Sequence, residues 1–302
     1  MRIALLSDTV YPTPLAYGHG VGRAVFNLGR ELLHRGHDVT LLGGEGSALN
    51  GARVITTNDC RTSGELDLRD AVLERLGEFD IFIDSTHTHA LANAECALPG
   101  IAWFHDCAMT QAPCGVFVSK WARAEVGQPG EVIYNAIVPE EFPLYIGPRE
   151  GLLWMALNVP IKGLHIAKVV ARRSGMQLTA RGMETPDGPL SGDKKIAALQ
   201  HARAYLFPST IDAGPLTPLE AMACGTPCIA LQIAGTMEYI QHDVNGFLCK
   251  TETEMVMAVL QGVDKLDAGA IRQSIIDGGF VVPRQASEFE HLLEQVLKGE
   301  RW

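Results

Sequence analysis

The sequence predicts an α/β protein made of two doubly wound, Rossmann-like domains. Three observations lead there. Short apolar runs alternate with amphipathic stretches at helical spacing, the pattern of a parallel sheet covered by helices on both faces. The alternation breaks once, at Val138-Pro139-Glu140-Glu141-Phe142-Pro143 and Gly147-Pro148, and then restarts, as it does across a linker. A chain of 302 residues, 47% of them hydrophobic, can fill two such cores.

In the first half, residues 3–6 read as a strand. Residues 21–35 read as a helix, with Val21, Val25, Leu28 and Leu32 on one face and Gly36 as its stop. Strands follow at 39–42 and 53–55, a helix at 67–76, a strand at 81–83 and a helix at 89–96. Further strands are expected at 101–104, 115–118 and 132–134, with Ser119 capping a helix over 120–125. After the linker the expected order is strand 152–156, helix 162–173, strand 177–180, helix 193–200, strand 204–207, helix 218–223 and strand 228–231. Mostly helices come after that, ending at 288–298. The expected division is a first domain over 1–147, a second over 148–285, and a C-terminal helix, 286–302, returning to the first domain. Sheets of this kind bind ligands at the carboxyl ends of their strands, so the expected site is a cleft facing those ends.

The net charge of -10 disfavours a nucleic acid partner, which needs Lys and Arg in excess. The seven Cys form no CxxC pair and read as reduced, mostly buried thiols of a reducing compartment. The N-terminus enters a strand without the apolar core of a signal peptide, and no apolar run reaches the ~18 residues of a spanning helix. The expectation is a cytoplasmic protein, with peripheral contact to a membrane left open.

The most informative stretch runs from Phe207 through Ile211-Asp212-Ala213-Gly214-Pro215-Leu216-Thr217-Pro218-Leu219-Glu220 to Gly225-Thr226-Pro227. It reads as strand, loop, helix, turn and strand. Thr217 stands where an N-cap belongs and Pro218 at the first helical position, so free N–H groups at the helix start offer an anion site. Two readings of Glu220 stay open at this point: a capping box with Thr217, or a ligand-binding acid. Asp212 is equally a loop aspartate that orders a turn. Gly18, Gly20 and Gly22 form a glycine loop that lets backbone approach a ligand, though not in the dinucleotide GxGxxG pattern.

This segment resembles the Glu-x7-Glu region of the GT4 family of retaining glycosyltransferases, here as Asp212-x7-Glu220 followed by Ala-Met-Ala-Cys-Gly-Thr-Pro-Cys-Ile-Ala. Similar stretches span nearly the whole chain: Gly20-Val21-Gly22-Arg23, Arg35-Gly36-His37-Asp38-Val39-Thr40, Val159-Pro160-Ile161-Lys162-Gly163, Ala234-Gly235-Thr236-Met237-Glu238 and Asn245-Gly246-Phe247-Leu248. The resemblance implies the two-domain GT-B fold. It also implies transfer of a sugar from a nucleotide diphosphate, with retained configuration and neither metal nor cofactor; the acceptor stays unidentified. By resemblance Glu220 takes the ribose, Asp212 the sugar, Leu216 and Thr217 the phosphates through their backbone, and Lys162 a phosphate charge. Gly20 lies near the donor phosphates and His105 contacts the donor sugar. His87 and His89 read as an ordinary surface pair or as lining the acceptor side.

Three departures stand out. The family's phosphate-binding Arg aligns with Leu157, the first acid is the shorter Asp212, and Gly214-Pro215 offers one N–H fewer. Losing one charged donor weakens binding by something like 1.5–3 kcal/mol, which Arg181 or Lys195 could restore. The loss admits a second reading, a relative that binds a nucleotide or sugar without transfer. A nucleotide-sugar epimerase on the same fold is a third.

Overall fold

A computed structural model describes residues 1–15, 19–106, 110–233 and 235–302. Gly18, Cys107 and Ala234 lie outside the described residues. The chain divides into two compact units. The first holds Met1–Leu15, His19–Asn135 and Val282–Trp302; the second holds Ala136–Val281.

The first unit is a seven-stranded parallel sheet. Its elements are β1 (Arg2–Leu6), α1 (Gly20–His34), β2 (Asp38–Gly44), β3 (Arg53–Thr57), α2 (Arg61–Leu73), β4 (Ile81–Asp84), β5 (Gly100–Phe104), β6 (Gly115–Phe117), α3 (Lys120–Val126) and β7 (Glu131–Val132). The spatial order is β3-β2-β1-β4-β5-β6-β7, so strand order reverses between β1 and β4. β1, β2 and β4 are almost wholly buried, which is why their sequences read as unbroken apolar runs. In α1 the residues Val25, Leu28 and Leu32 are buried as their spacing predicts, and Gly36, at φ 86°, ends the turn. Residues 89–96, expected as a helix, form turns instead. The buried Asp84 carboxylate takes the amides of Leu91 and Ala92 at 3.0 and 3.1 Å, which fixes a loop where helical bonds would otherwise run.

The second unit is a five-stranded parallel sheet in the order β12-β11-β10-β8-β9. It comprises β8 (Glu150–Met155), α4 (Leu164–Ser174), β9 (Leu178–Arg181), α5 (Gly192–His201), β10 (Ala202–Phe207), α6 (Leu216–Ala223), β11 (Cys228–Leu231), α7 (Thr236–Tyr239), β12 (Gly246–Cys249), α8 (Glu252–Met257) and α9 (Ala268–Asp277). Here the order reverses between β8 and β10. Trp154, Leu206, Ile229, Met255 and Val259 centre its core. The passage into this unit falls at Asn135–Ala136, before the expected linker, because residues 137–145 are tied down within it. Arg272 donates to the carbonyls of Phe142 and Pro139 at 2.6 and 2.8 Å, and Tyr145 N donates to Cys224 O at 3.1 Å.

The last helix, α10 (Val282–Leu297), belongs to the first unit. Glu290 reaches Arg35 at 2.6 Å and His37 at 2.7 Å, and Phe289 meets the Trp103 ring edge-on at 4.8 Å. Among the described residues no helix is long and apolar enough to cross a membrane. Of the six described cysteines, all free thiols, Cys60 is exposed, whereas Cys114, Cys224, Cys228 and Cys249 are buried.

Candidate functional site

The strand reversal between β8 and β10 is where ligands bind in doubly wound sheets, at the carboxyl ends of the strands. Lys162, Asp212, Leu216, Thr217 and Glu220 all follow these two strands. Lys162 ends a 3-10 turn, Pro160–Lys162, and α4 starts only at Leu164. Lys162 therefore does not open the helix, as the sequence suggests. Gly163 intervenes at φ 70°. Four bonds tie this turn to its neighbours: Trp154 Nε1 to Lys162 O at 3.0 Å, and Thr210 N, Ser209 Oγ and Thr210 Oγ1 to Ile161 O at 2.8, 3.2 and 3.3 Å. They set the Lys162 ammonium 2.6 Å from Asp212 Oδ2.

Gly163 is demanded sterically. A Cβ there would stand 2.2 Å from Pro208 O, in a backbone region that disfavours L side chains. Gly163→Ala is expected to cost about 3 kcal/mol, from left-handed strain plus the clash, and urea denaturation measures it. Gly235, on the segment that follows β11, is held in the same way. A Cβ there would meet Asp212 O at 2.1 Å, so this glycine lets its backbone pack on the acid's own carbonyl.

The short helix α6 opens two residues earlier than expected. Pro215 is the extended N-cap and Leu216 the first helical residue, while Thr217 lies inside the first turn. The Thr217–Glu220 capping box is therefore not formed. Thr217 instead reaches the Tyr205 hydroxyl. No side chain caps this end, so the N–H groups of Leu216 and Thr217 lack an intrahelical acceptor; Pro218 has no N–H to offer. Glu220 is 3% exposed and its Oε2 lies 2.6 Å from Lys195 Nζ on α5. Each acid of the Asp-x7-Glu pair is thus matched to one lysine.

Beside these pairs, within the second unit, is an open pocket. Met155, Leu157, Arg181, Leu190, Lys195 and Thr217 contribute to its wall. Leu157, at the position of the missing cation, is 42% exposed. Arg181 ends β9, in register with Met155, and donates to Asp187 O at 2.5 Å while its buried Nε has no partner. Arg181 and Lys195 line the same pocket as Leu157.

Gly20 and His105 are placed in the first unit. Gly20 is the exposed first residue of α1, and a Cβ there would meet nothing within 4 Å, so the fold itself does not require glycine. His105 follows β5 with its ring 4.2 Å from Trp103; its Nε2 is buried without a partner. Burial, helped by the nearby imidazoles of His89 and His87, pushes its pKa down to about 3, so the ring is neutral at pH 7. His89 is no surface residue: it is 3% exposed, with Nδ1 3.2 Å from Asp84 O. The sequence gives no sign of one further group, Asp8, Glu65 and His87, whose side chains converge from three separate segments.

The two parallel-sheet units make this the fold of the GT-B glycosyltransferases. AviGT4, a glycosyltransferase involved in avilamycin A biosynthesis, superposes over 100% of this chain and 99% of its own with a TM-score of 0.80 at 20% identity. Anabaena HepE in complex with UDP and glucose superposes over 98% of this chain and 100% of its own, with a TM-score of 0.74 at 18% identity. At such identities the likeness speaks for the fold. The more particular assignment comes from sequence: residues 188–266 match the family model of glycosyl transferases group 1, a span that includes Lys195, Asp212, Leu216, Thr217 and Glu220. An uncharacterized glycosyltransferase of Methanocaldococcus jannaschii is 31% identical over 154 residues, 38% of this chain and 40% of that protein. N-acetyl-alpha-D-glucosaminyl L-malate synthase of Bacillus anthracis is 54% identical over 35 residues, 12% of this chain and 9% of the synthase. The chain thus spans less than half the length of the curated relatives it matches.

Proposed function

We propose that this protein is a glycosyltransferase of the GT4 type that moves a sugar from a nucleotide diphosphate to an acceptor, with retained configuration and no metal in the transfer step. One observation carries the reading. At the β8/β10 strand reversal, Lys162, Lys195 and Arg181 stand with the uncapped start of α6, and two carboxylates are poised beside them. This is a cradle for a diphosphate flanked by acceptors for sugar and ribose hydroxyls. The group 1 match over the same segment supports it.

In this reading the diphosphate lies against the amides of Leu216 and Thr217, with Lys162 neutralising the charge that develops as the sugar leaves. Asp212 takes a sugar hydroxyl and Glu220 the ribose. Lys195, 2.6 Å from Glu220 Oε2, orients the carboxylate for the ribose hydroxyls. His105 is a neutral hydrogen-bonding group for the donor sugar and Gly20 leaves open space for a ligand. The donor is a nucleotide sugar, and UDP-glucose is the first to try because HepE has been crystallised with it.

Thermal denaturation with and without the donor tests the reading. UDP-glucose or UDP at ~100 times its Kd is expected to add about 2.7 kcal/mol of stability. Glu220→Gln, which keeps the shape and removes the anion, is expected to abolish most of that gain. A gain that survives in Glu220→Gln would reduce Glu220 to a partner of Lys195.

The exposed Leu157 favours a second reading, a binder with weakened transfer. Leu157→Arg is expected to tighten nucleotide diphosphate binding by about tenfold, or ~1.4 kcal/mol, as measured by calorimetric titration. No tightening would mean that Arg181 and Lys195 already saturate the phosphates.

A further inference from the structure

The first unit has its own strand reversal, between β1 and β4, and three polar side chains meet at the strand ends there. Asp8 follows β1, His87 follows β4 and Glu65 comes from α2. Asp8 and Glu65 are each 1% exposed, and ligand-type atoms of all three residues lie within 4.8 Å of one another. Two buried carboxylates this close repel each other unless positive charge sits with them.

The surrounding bonds leave that charge incompletely supplied. Backbone amides orient the acids: Val10 N donates to Asp8 Oδ1 at 2.8 Å, and His87 N and Thr88 N donate to the Glu65 oxygens at 3.0 and 2.9 Å. His87 Nδ1 faces Glu65 Oε1 at 3.5 Å and Asp8 Oδ1 at 3.8 Å, both longer than a normal hydrogen bond. His19 fills the gap only in part. Its Nδ1 accepts the Gly22 amide at 3.2 Å, so Nε2 carries the proton. That Nε2 lies 3.0 Å from Asp8 Oδ2 but out of line for a bond, and Asp8 Oδ2 stays buried without a hydrogen-bond partner.

One nitrogen and two carboxylates converging at 3.5 and 3.8 Å, longer than ordinary hydrogen bonds, is also how ligands stand around an ion. For bonds of about 2.0–2.1 Å, neighbouring ligand atoms of a tetrahedral site are roughly 3.3 Å apart, close to the 3.5 and 3.8 Å found here. We propose that Asp8, Glu65 and His87 bind a divalent transition-metal ion, which pins the loops after β1 and β4 to α2. The imidazole selects an ion of the Zn²⁺ or Mn²⁺ kind over Mg²⁺, with water completing the shell. The site is structural and stands or falls apart from the transfer reaction.

The test uses the full chain stripped with EDTA and titrated with ZnCl₂, MnCl₂ and MgCl₂, read by calorimetry and thermal denaturation. One equivalent of Zn²⁺ or Mn²⁺ is expected to bind with micromolar affinity or better and to raise Tm, while Mg²⁺ at equal concentration has no effect. His87 is 46% exposed in its side chain, so His87→Ala should fold and should bind at least 100-fold more weakly; Glu65→Gln should behave alike. Silence with all three salts would overturn the site. So would binding that His87→Ala leaves unchanged, or a response to Mg²⁺ equal to that of the transition ions.

Discussion

Lys162→Ala is expected to lower the rate of sugar transfer by 100- to 1000-fold, the usual cost of removing one preorganised charge from a site where negative charge develops. Lys162 is expected to have this effect because of how it is held. Its turn is bonded to Trp154, Ser209 and Thr210, so the ammonium is placed before the donor arrives. With 26% of the side chain exposed and Asp212 2.6 Å away, it is neither free nor committed. In the proposed reaction a bound diphosphate would compete with Asp212 for the same three N–H donors and free Asp212 for the sugar. The substitution removes both the phosphate contact and the restraint on Asp212. The loss should therefore fall mainly on kcat, with a smaller change in the donor's KM. Lys162→Arg keeps the charge and should recover part of the rate. Steady-state transfer and acceptor-free hydrolysis of UDP-glucose provide the readouts. A Lys162→Ala enzyme with unchanged kcat would remove Lys162 from the chemistry and leave it as the partner of Asp212.

The sheets were legible in the sequence because strands buried on both faces cannot hide: runs such as Ile3-Ala4-Leu5-Leu6 have no polar face. The helices were legible where one stripe is apolar, as in α1, and failed where it is not. Helix α2 starts at Arg61, earlier than expected, because its first turns, Arg-Thr-Ser-Gly-Glu, carry no apolar period. Residues 89–96 contain good helix formers, but the Asp84 carboxylate claims the amides that a helix would need. Strand β12, four residues long, was seen as a motif and not as a strand. At α6 the sequence pointed to Thr217 as the cap. Pro215 prevails over Thr217: as a cap it forfeits nothing by lacking an N–H, and the earlier start buries Leu216. The chemistry-bearing residues of the second unit were readable because they lie on one contiguous stretch. Their partners were not, since nothing local ties Lys195 to Glu220. The Asp8–Glu65–His87 group was invisible for the same reason: topology alone gathers it.

His105 gives a large expected effect of pH on stability. Its folded-state pKa is about 3 because the ring is buried and Nε2 has no partner to share a proton with, against roughly 6.5 in an unfolded chain. Below pH 6.5 the unfolded state therefore takes up a proton that the folded state refuses, and stability falls as pH falls. Between pH 6.5 and 5 the loss is about 1.6 kcal/mol, since the full slope of ~1.36 kcal/mol per pH unit is reached only below the unfolded pKa. Burial also lowers the His89 pKa, so His89 acts in the same window with the same sign; the remaining groups act elsewhere or with the opposite sign. Asp8 and Glu65, whose pKa values are lowered, lose their contribution only as pH drops through the acid range, and His87, whose pKa is raised by Glu65, contributes stability below pH 6.5 and loses it on the alkaline side. Comparing wild type with His105→Gln by urea denaturation at pH 6.5 and 5 cancels those shared contributions. The variant should lose about 1.6 kcal/mol less than wild type over that interval. Equal losses would mean that the imidazole accepts its proton in the folded protein. It could then act as an acid toward the donor, whereas a ring held neutral at pH 7 can only give or receive a hydrogen bond there.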